Sequence, residues 1–126
     1  MPEEYTSGSY RMELLKADNW MPWKRRMLAV LRDLGLEKYV EKTAKFPESA
    51  DKSALSTQEL EDQKKWTEGD ARARTRIELA IGDAEMIHIT GAKTAREMWD
   101  QLTTVKESKG RLAHMVAPLF RTTWAN

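Results

Sequence analysis

The stretch between Asn19 and Leu36 constrains the fold most, because it combines two tryptophans with helical spacing. Six apolar side chains recur there every three or four residues and predict one helix with a single buried stripe. They are Trp20, Trp23, Met27, Val30, Leu31 and Leu34. Asp18 or Asn19 is expected to cap the first turn, and Gly35 to end the helix in the left-handed conformation. Two tryptophans on one turn form a large apolar surface that another part of the chain must cover.

The composition is that of one soluble globular domain. The chain has 126 residues, of which 33% are charged, and it has no cysteine. Its 21 basic and 20 acidic side chains leave a net charge of +1, so no long-range attraction to nucleic acid or to a membrane is expected. No apolar run approaches the roughly 20 residues that a membrane span needs. These properties fit a protein of a reducing compartment such as the cytoplasm.

The chain divides into a short tail and one helical domain. Residues 1–9 are expected to form a flexible N-terminal tail, and residues 10–126 a single domain. Tyr10 to Lys16 is predicted to form a short turn of helix. A stretch at about residues 43–55 is rich in serine, alanine, lysine and proline and shows no periodicity, so it is predicted to be a mobile linker within the domain.

A long helix is predicted after this linker. Ser56 and Glu59 have the spacing of a capping box, in which each side chain accepts a hydrogen bond from the other residue's backbone. The helix is expected to reach about Ile81 and to stop at Gly82. Gly69 in its middle costs roughly 1 kcal/mol relative to alanine. It predicts a close helix–helix contact there, and the alternative is a plain local weak spot in the helix.

Shorter helices are predicted on either side of the long one. Residues 36–40 are expected to form one, and Asp83 to cap another that ends at Gly91. Thr94 and Glu97 form a second predicted capping box. No segment alternates apolar and polar residues over two-residue steps, so no sheet is expected. The fold class is therefore all-α, a compact bundle of about five helices. Four tryptophans are predicted in or near its core: Trp20, Trp23, Trp66 and Trp99.

Few residues suggest chemistry. Neither His88 nor His114 has a metal-ligating side chain three or four positions later, and no phosphate loop or nucleophile motif is present. No enzyme activity, metal or cofactor is therefore expected. Lys24, Arg25 and Arg32 are weak candidates for RNA contacts, although a solvated helix face is the preferred interpretation because acidic residues are interspersed with the basic ones.

Several motifs in order resemble a known family. The chain carries Asn19-Trp20-x-x-Trp23, then Leu31-x-x-Leu34-Gly35-Leu36, Trp66, Ile77-x-x-Ala80-Ile81 and Thr94-Ala95-x-Glu97-x-Trp99-x-x-Leu102. Over about residues 12–112 this order resembles the N-terminal part of the Gag polyprotein of copia-type LTR retrotransposons. The resemblance implies a helical domain like the N-terminal domain of a capsid, which assembles in intracellular particles around the element's RNA and has no catalytic role.

Two features depart from the family pattern. Gag proteins of this group usually continue with further helices and a zinc knuckle, whereas this chain reaches Asn126 without a cysteine. A fragment, or a shortened or domesticated relative, is expected on that basis. Pro118 interrupts a stretch that the resemblance implies to be continuous helix, because proline lacks the backbone donor and distorts the preceding residue.

Two functions are therefore considered. The first is a structural self-assembly module of a retrotransposon Gag, with the chain itself as partner and with weak, non-specific binding of RNA. The alternative is a domesticated adaptor that binds a host protein or peptide in a groove between helices. The predicted self-association surface is a dense apolar set that could also fold back onto its own bundle. It consists of Leu112, Met115, Val116, Leu119, Phe120 and Trp124.

Overall fold

A computed structural model describes residues 4–7, 10–51 and 53–108, and this part of the chain is mostly helical. Residues 95–108 are helical and are called α3. The other elements, in chain order, are strands β1 (Glu4–Ser7) and β2 (Tyr10–Glu13), helix α1 (Trp20–Asp33), a first 3-10 helix (Glu37–Tyr39), helix α2 (Thr57–Leu79) and a second 3-10 helix (Asp83–Ile89).

Helix α1 forms where the apolar stripe predicted it. Five of the six stripe residues are buried, and Leu34 is partly buried. Gly35 has a φ of +72°, which places it in the left-handed region. Its N–H donates to the carbonyl of Arg32 at 3.1 Å. The N–H of Leu36 donates to the carbonyl of Leu31 at 2.7 Å. This bond pattern is the Schellman motif, and it turns Leu36 back into the core.

The predicted side-chain cap of α1 is absent. Asn19 occupies the cap position, but its φ of −125° and ψ of 29° are not the extended angles that direct a cap side chain at the helix. Its Oδ1 instead accepts from the N–H of Lys16 at 2.7 Å, and its Nδ2 donates to the carbonyl of Leu14 at 2.9 Å. Asn19 therefore fixes the turn that precedes α1.

A β-hairpin takes the place of the predicted helical turn and of residues 4–7 of the predicted tail. β1 pairs with β2 in antiparallel register, with Tyr5 opposite Met12 and Ser7 opposite Tyr10. Met12 is buried while its neighbours in β2 are exposed, as the alternation of a strand requires. The prediction of helix at Tyr10 to Lys16 is therefore wrong. Beyond this hairpin, the described residues contain one isolated β-bridge and no further strand.

Helix α2 begins at the predicted capping box. The hydroxyl of Ser56 accepts from the N–H of Glu59 at 3.1 Å, and Glu59 Oε1 accepts from the N–H of Ser56 at 3.0 Å. Both of these backbone donors are thereby satisfied. Irregular backbone precedes the box: residues 43–51 and 53–55 belong to no helix or strand. The mobility of this linker stays a prediction.

The end of α2 comes slightly earlier than predicted, because the chain turns to pair with the segment after β2. The N–H of Leu15 donates to the carbonyl of Ala80 at 2.9 Å, and the N–H of Gly82 donates to the carbonyl of Leu15 at 3.0 Å. A Cβ atom at Gly82 would lie 2.8 Å from that Leu15 oxygen. Position 82 therefore requires glycine because a larger side chain would not fit against Leu15, and not because its φ is unusual.

The last described elements also differ in detail from their predictions. Gly82, and not Asp83, is the cap of the second 3-10 helix, and no side chain bonds there. Thr94 caps α3, since its hydroxyl accepts from the N–H of Glu97 at 3.1 Å. The Glu97 carboxylate accepts from the N–H of Lys93 at 2.8 Å, so the predicted reciprocal bond is shifted by one residue.

Candidate functional site

The structural centre of the molecule is a cluster of three tryptophans. The ring centroids of Trp20 and Trp23 in α1 lie 5.7 Å apart, and Trp99 of α3 lies 6.1 and 5.9 Å from them. All three distances fall in the range that favours aromatic pairs. The side chains are 8%, 2% and 7% exposed, respectively. Helix α3 therefore provides the cover that the paired tryptophans of α1 require.

One backbone oxygen joins three segments beside this cluster. The indole Nε1 of Trp23 donates to the carbonyl of Ala80 at 2.8 Å, in a buried hydrogen bond. The same carbonyl accepts from the N–H of Leu15. Two donors therefore satisfy both lone pairs of the oxygen. The segment after β2, helix α1 and the end of α2 all meet at this atom.

Trp66 lies apart from the cluster and is partly buried. Its ring meets that of Tyr39 edge to face, with centroids 4.7 Å apart. The Tyr39 side chain lies directly against Gly69, because a Cβ atom there would come within 1.9 Å of the tyrosine oxygen. The close contact predicted at Gly69 is therefore made by an aromatic ring of the first 3-10 helix.

A buried carboxylate links α2 to the start of α3. Asp70 Oδ1 accepts from the N–H of Ala95 at 2.9 Å, and Oδ2 accepts from Arg74 Nε at 3.0 Å. Ala95 is the first residue of α3, so its N–H has no partner within the helix. A negative charge at this position also interacts favourably with the helix dipole. Asp70 is only 8% exposed. Nothing in its sequence context indicates this role.

Lys106 and Glu107, near the end of the described part of α3, bond to side chains of the second 3-10 helix and of α1. Glu107 Oε2 accepts from Trp20 Nε1 at 3.1 Å and from Lys24 Nζ at 2.7 Å. Lys106 pairs with Glu85 of the second 3-10 helix, and both side chains are about 90% buried. Removing either partner of such a buried pair leaves an uncompensated charge.

The three candidate RNA contacts have different surroundings. Lys24 forms an ion pair with Glu107, and its ammonium lies 5.7 Å from the centre of the Trp20 ring. Arg32 pairs with Glu37 at 2.9 Å, and this hydrogen bond raises the pKa of Arg32. Arg25 is exposed, and no ion pair holds it within the described residues. Arg25 is therefore the most available of the three to an anionic partner.

Other polar contacts serve the fold locally. The Tyr10 hydroxyl donates to Asp33, which joins β2 to the end of α1 and raises the pKa of Tyr10. Hydrogen bonds from Ser49, and then from Ser56, lower the pKa of Glu59 and favour the carboxylate in the capping box. Each shift therefore has a local structural cause.

The described residues show no cluster that could hold a metal ion. His88 is partly buried, and its Nε2 lies 3.8 Å from Glu85 Oε1. No group of three histidine, aspartate or glutamate side chains in the described part is arranged as a metal site. Among the helices of that same part, none is both long and apolar enough to cross a membrane. His114 lies outside the described residues.

A groove of about 540 Å³ opens between α2 and the second 3-10 helix. One wall carries Thr75 and Glu78 of α2, and the other carries Met86 and Ile87. The predicted self-association surface cannot be compared with it, since that surface lies outside the described residues. Its members are Leu112, Met115, Val116, Leu119, Phe120 and Trp124.

A comparison with protein families identifies the chain. Residues 27–124 match the family described as the gag-polypeptide of LTR copia-type. The matched residues begin within α1, so they include the motifs from Leu31 onward but not the Trp20 and Trp23 pair. Neither a curated protein nor a solved structure matches the chain. Because the family match spans well over half of its length, this chain belongs to the gag-polypeptide family of copia-type LTR retrotransposons.

Proposed function

We propose that this chain is a structural self-assembly module of a retrotransposon Gag. The observation that carries the proposal is the family match over residues 27–124. In this proposal, copies of the chain associate through protein–protein contacts into a capsid-like shell. The full polyprotein packages the element's RNA within cytoplasmic particles, and the domain described here corresponds to the N-terminal domain of a capsid.

The packing of the described residues supports this proposal. A shell needs protomers of defined shape, because each contact must repeat with the same geometry. Helices α1 and α3 are joined by stacked tryptophans, and Glu107 adds polar bonds to Trp20 and Lys24. Asp70 fixes the start of α3 against α2. Aromatic packing and buried polar bonds therefore hold the three helices in one arrangement.

Sedimentation over a concentration series, with and without RNA, tests the proposal. A self-assembly module is expected to sediment faster as its concentration rises, because association follows mass action. RNA is expected to promote assembly only at low salt, since it binds through screened charges. A chain that stays monomeric up to millimolar concentration in both conditions would contradict the proposal and would favour the adaptor alternative.

The apolar residues near the C-terminus are proposed to contribute to self-association. Changing Leu119 and Phe120 together to aspartate is expected to give a folded monomer if they form a contact between copies. Unfolding would instead place them in the core of the chain, because two charges would then be buried without partners. Met21→Asp is the matched control, since Met21 is 66% exposed on α1.

A further inference from the structure

The groove between α2 and the second 3-10 helix has an unusually exposed apolar rim. Ile87 on this rim is 74% exposed, the highest value among the large apolar side chains of the described residues. Leu79 is 57% exposed and follows Thr75 of the groove wall by one helical turn. Single exposed apolar residues are common on proteins. Here, however, a protruding isoleucine lies beside a concave surface of the same chain.

An exposed side chain beside a groove on the same chain suits a two-fold contact between two copies. In a two-fold dimer, each copy presents the same surface, so a residue of one copy meets a different residue of the other and the contact occurs twice. Ile87 of one copy can then enter the groove of the second copy, while the second copy's Ile87 enters the first groove. This arrangement removes both exposed isoleucines from water.

The charges of the groove wall are complementary in the same arrangement. Arg74 and Glu78 are one turn apart on α2, and both line the groove. Asp70 holds Arg74 through Nε, and the arginine side chain remains 36% exposed. Glu78 is exposed, and no ion pair holds it within the described residues. When two α2 helices lie antiparallel and the two-fold axis passes midway between Arg74 and Glu78, each Glu78 faces the Arg74 of the other copy.

We infer that this groove is a docking surface for a second copy of the chain. Ile87 of each copy enters the groove of the other, and two pairs between Glu78 and Arg74 set the antiparallel register. The inference rests on the proposed self-assembly function and assigns to it a surface that is separate from the apolar residues near the C-terminus.

Ile87→Ser in the full chain tests the apolar part of the contact. Because Ile87 is exposed, the variant is expected to melt within a few degrees of the parent. Its dimer dissociation constant is expected to rise about tenfold or more, as for a central interface residue. Met21→Ser is the matched control, because Met21 is similarly exposed but lies on α1 and not on the groove. Unchanged association of Ile87→Ser would overturn the inference.

A charge exchange tests the register. Glu78→Arg and Arg74→Glu are each expected to weaken association, because like charges then meet across the two-fold axis. An equimolar mixture of the two variants is expected to restore it, because each arginine again faces a glutamate in the mixed dimer. Two folded variants that fail to associate in the mixture would overturn the arrangement. The Arg74→Glu variant can unfold because its new carboxylate repels Asp70. In that case the groove contact is tested by the Glu78→Arg and Ile87→Ser variants, and unchanged association of both would overturn it.

The same measurements separate this inference from the proposed function. A parent chain that is monomeric at every concentration overturns both the groove contact and the proposed self-assembly. This holds also if the groove is then found to bind a peptide. A parent that assembles, ignores the changes at Ile87 and Glu78, and responds only to the Leu119 and Phe120 double change overturns the groove contact alone.

Discussion

Trp23 illustrates how one residue can carry both packing and polar roles. Its indole ring packs against those of Trp20 and Trp99, and its N–H donates to the carbonyl of Ala80. The spacing of the tryptophans in α1 was sufficient to predict burial, because a helical stripe is a local property. The identity of the covering residue was not accessible in the same way, because Trp99 approaches from a distant part of the chain.

Truncation of Trp23 is expected to abolish most of the stability. Trp23→Ala should cost about 3–5 kcal/mol, because a large buried ring is lost and a cavity remains. This approaches the total stability of a small domain, which is roughly 5–15 kcal/mol. Trp23→Phe is the control: it keeps an aromatic ring but loses the bond to Ala80, and it should cost less. Urea unfolding measures both. A melting temperature of Trp23→Ala within a few degrees of the parent would contradict this prediction.

The contact between Gly69 and Tyr39 gives a second prediction. Here, replacing a helical glycine by alanine is expected to lower the stability and not to raise it. In a helix, glycine to alanine normally stabilises by about 1 kcal/mol. Gly69→Ala is expected to destabilise by about 1–3 kcal/mol instead, because the new methyl group overlaps the Tyr39 ring. In a Tyr39→Ala background the same change should become stabilising. A double-mutant cycle by thermal unfolding measures this coupling, and a Gly69→Ala variant more stable than the parent would disprove it.

At the scale of elements, the helix ends were predictable where their signals are local. The Ser56 and Glu59 capping box and the left-handed Gly35 involve residues within five positions of one another, and both are present. The hairpin also had a local signal, because Gly8-Ser9 is a typical two-residue connection between strands. The sequence nevertheless predicts helix there, because strands of four residues are too short for their alternation to stand out from a helical pattern.

The cap that Asp70 gives to α3 could not have been predicted in this way, since it joins residues 25 positions apart. Asp70→Ala is expected to cost about 1–3 kcal/mol, because it leaves the Ala95 N–H and Arg74 without their partner. Asp100→Ala provides the matched control: Asp100 pairs with Arg96 within α3 and is 54% exposed. That exposed pair should contribute at most about 1 kcal/mol. Equal losses of unfolding free energy in the two variants would contradict the proposed cap.

At the scale of the whole molecule, the helical class followed from the period of the apolar residues. The arrangement of the helices did not, because it depends on contacts between distant segments such as Glu85 with Lys106 and Trp20 with Glu107. The three charged residues of these contacts, Glu85, Lys106 and Glu107, taken alone look like parts of a solvated charged face. Only the folded chain shows that they lie between elements.

The nearly neutral charge predicts weak RNA binding. Affinity for an unstructured RNA is expected to be low, independent of sequence and lost as salt rises, because few phosphates are neutralised. Arg25→Gln should weaken binding more than Arg32→Gln, since Arg32 is already paired with Glu37. Fluorescence anisotropy at several salt concentrations measures this. Sub-micromolar affinity that persists at physiological salt would contradict the prediction.

The shared carbonyl of Ala80 has a consequence for how the molecule opens. Breaking both of its bonds separates the segment after β2 and helix α1 from the end of α2. The amide hydrogens of Leu15 and Gly82 lie at this junction, and each bonds across it. They are expected to exchange with solvent deuterium only through global unfolding, whereas amides at the start of α2 exchange through local fraying. In a hydrogen-exchange experiment under native conditions, the Leu15 amide should therefore report the stability of the whole domain.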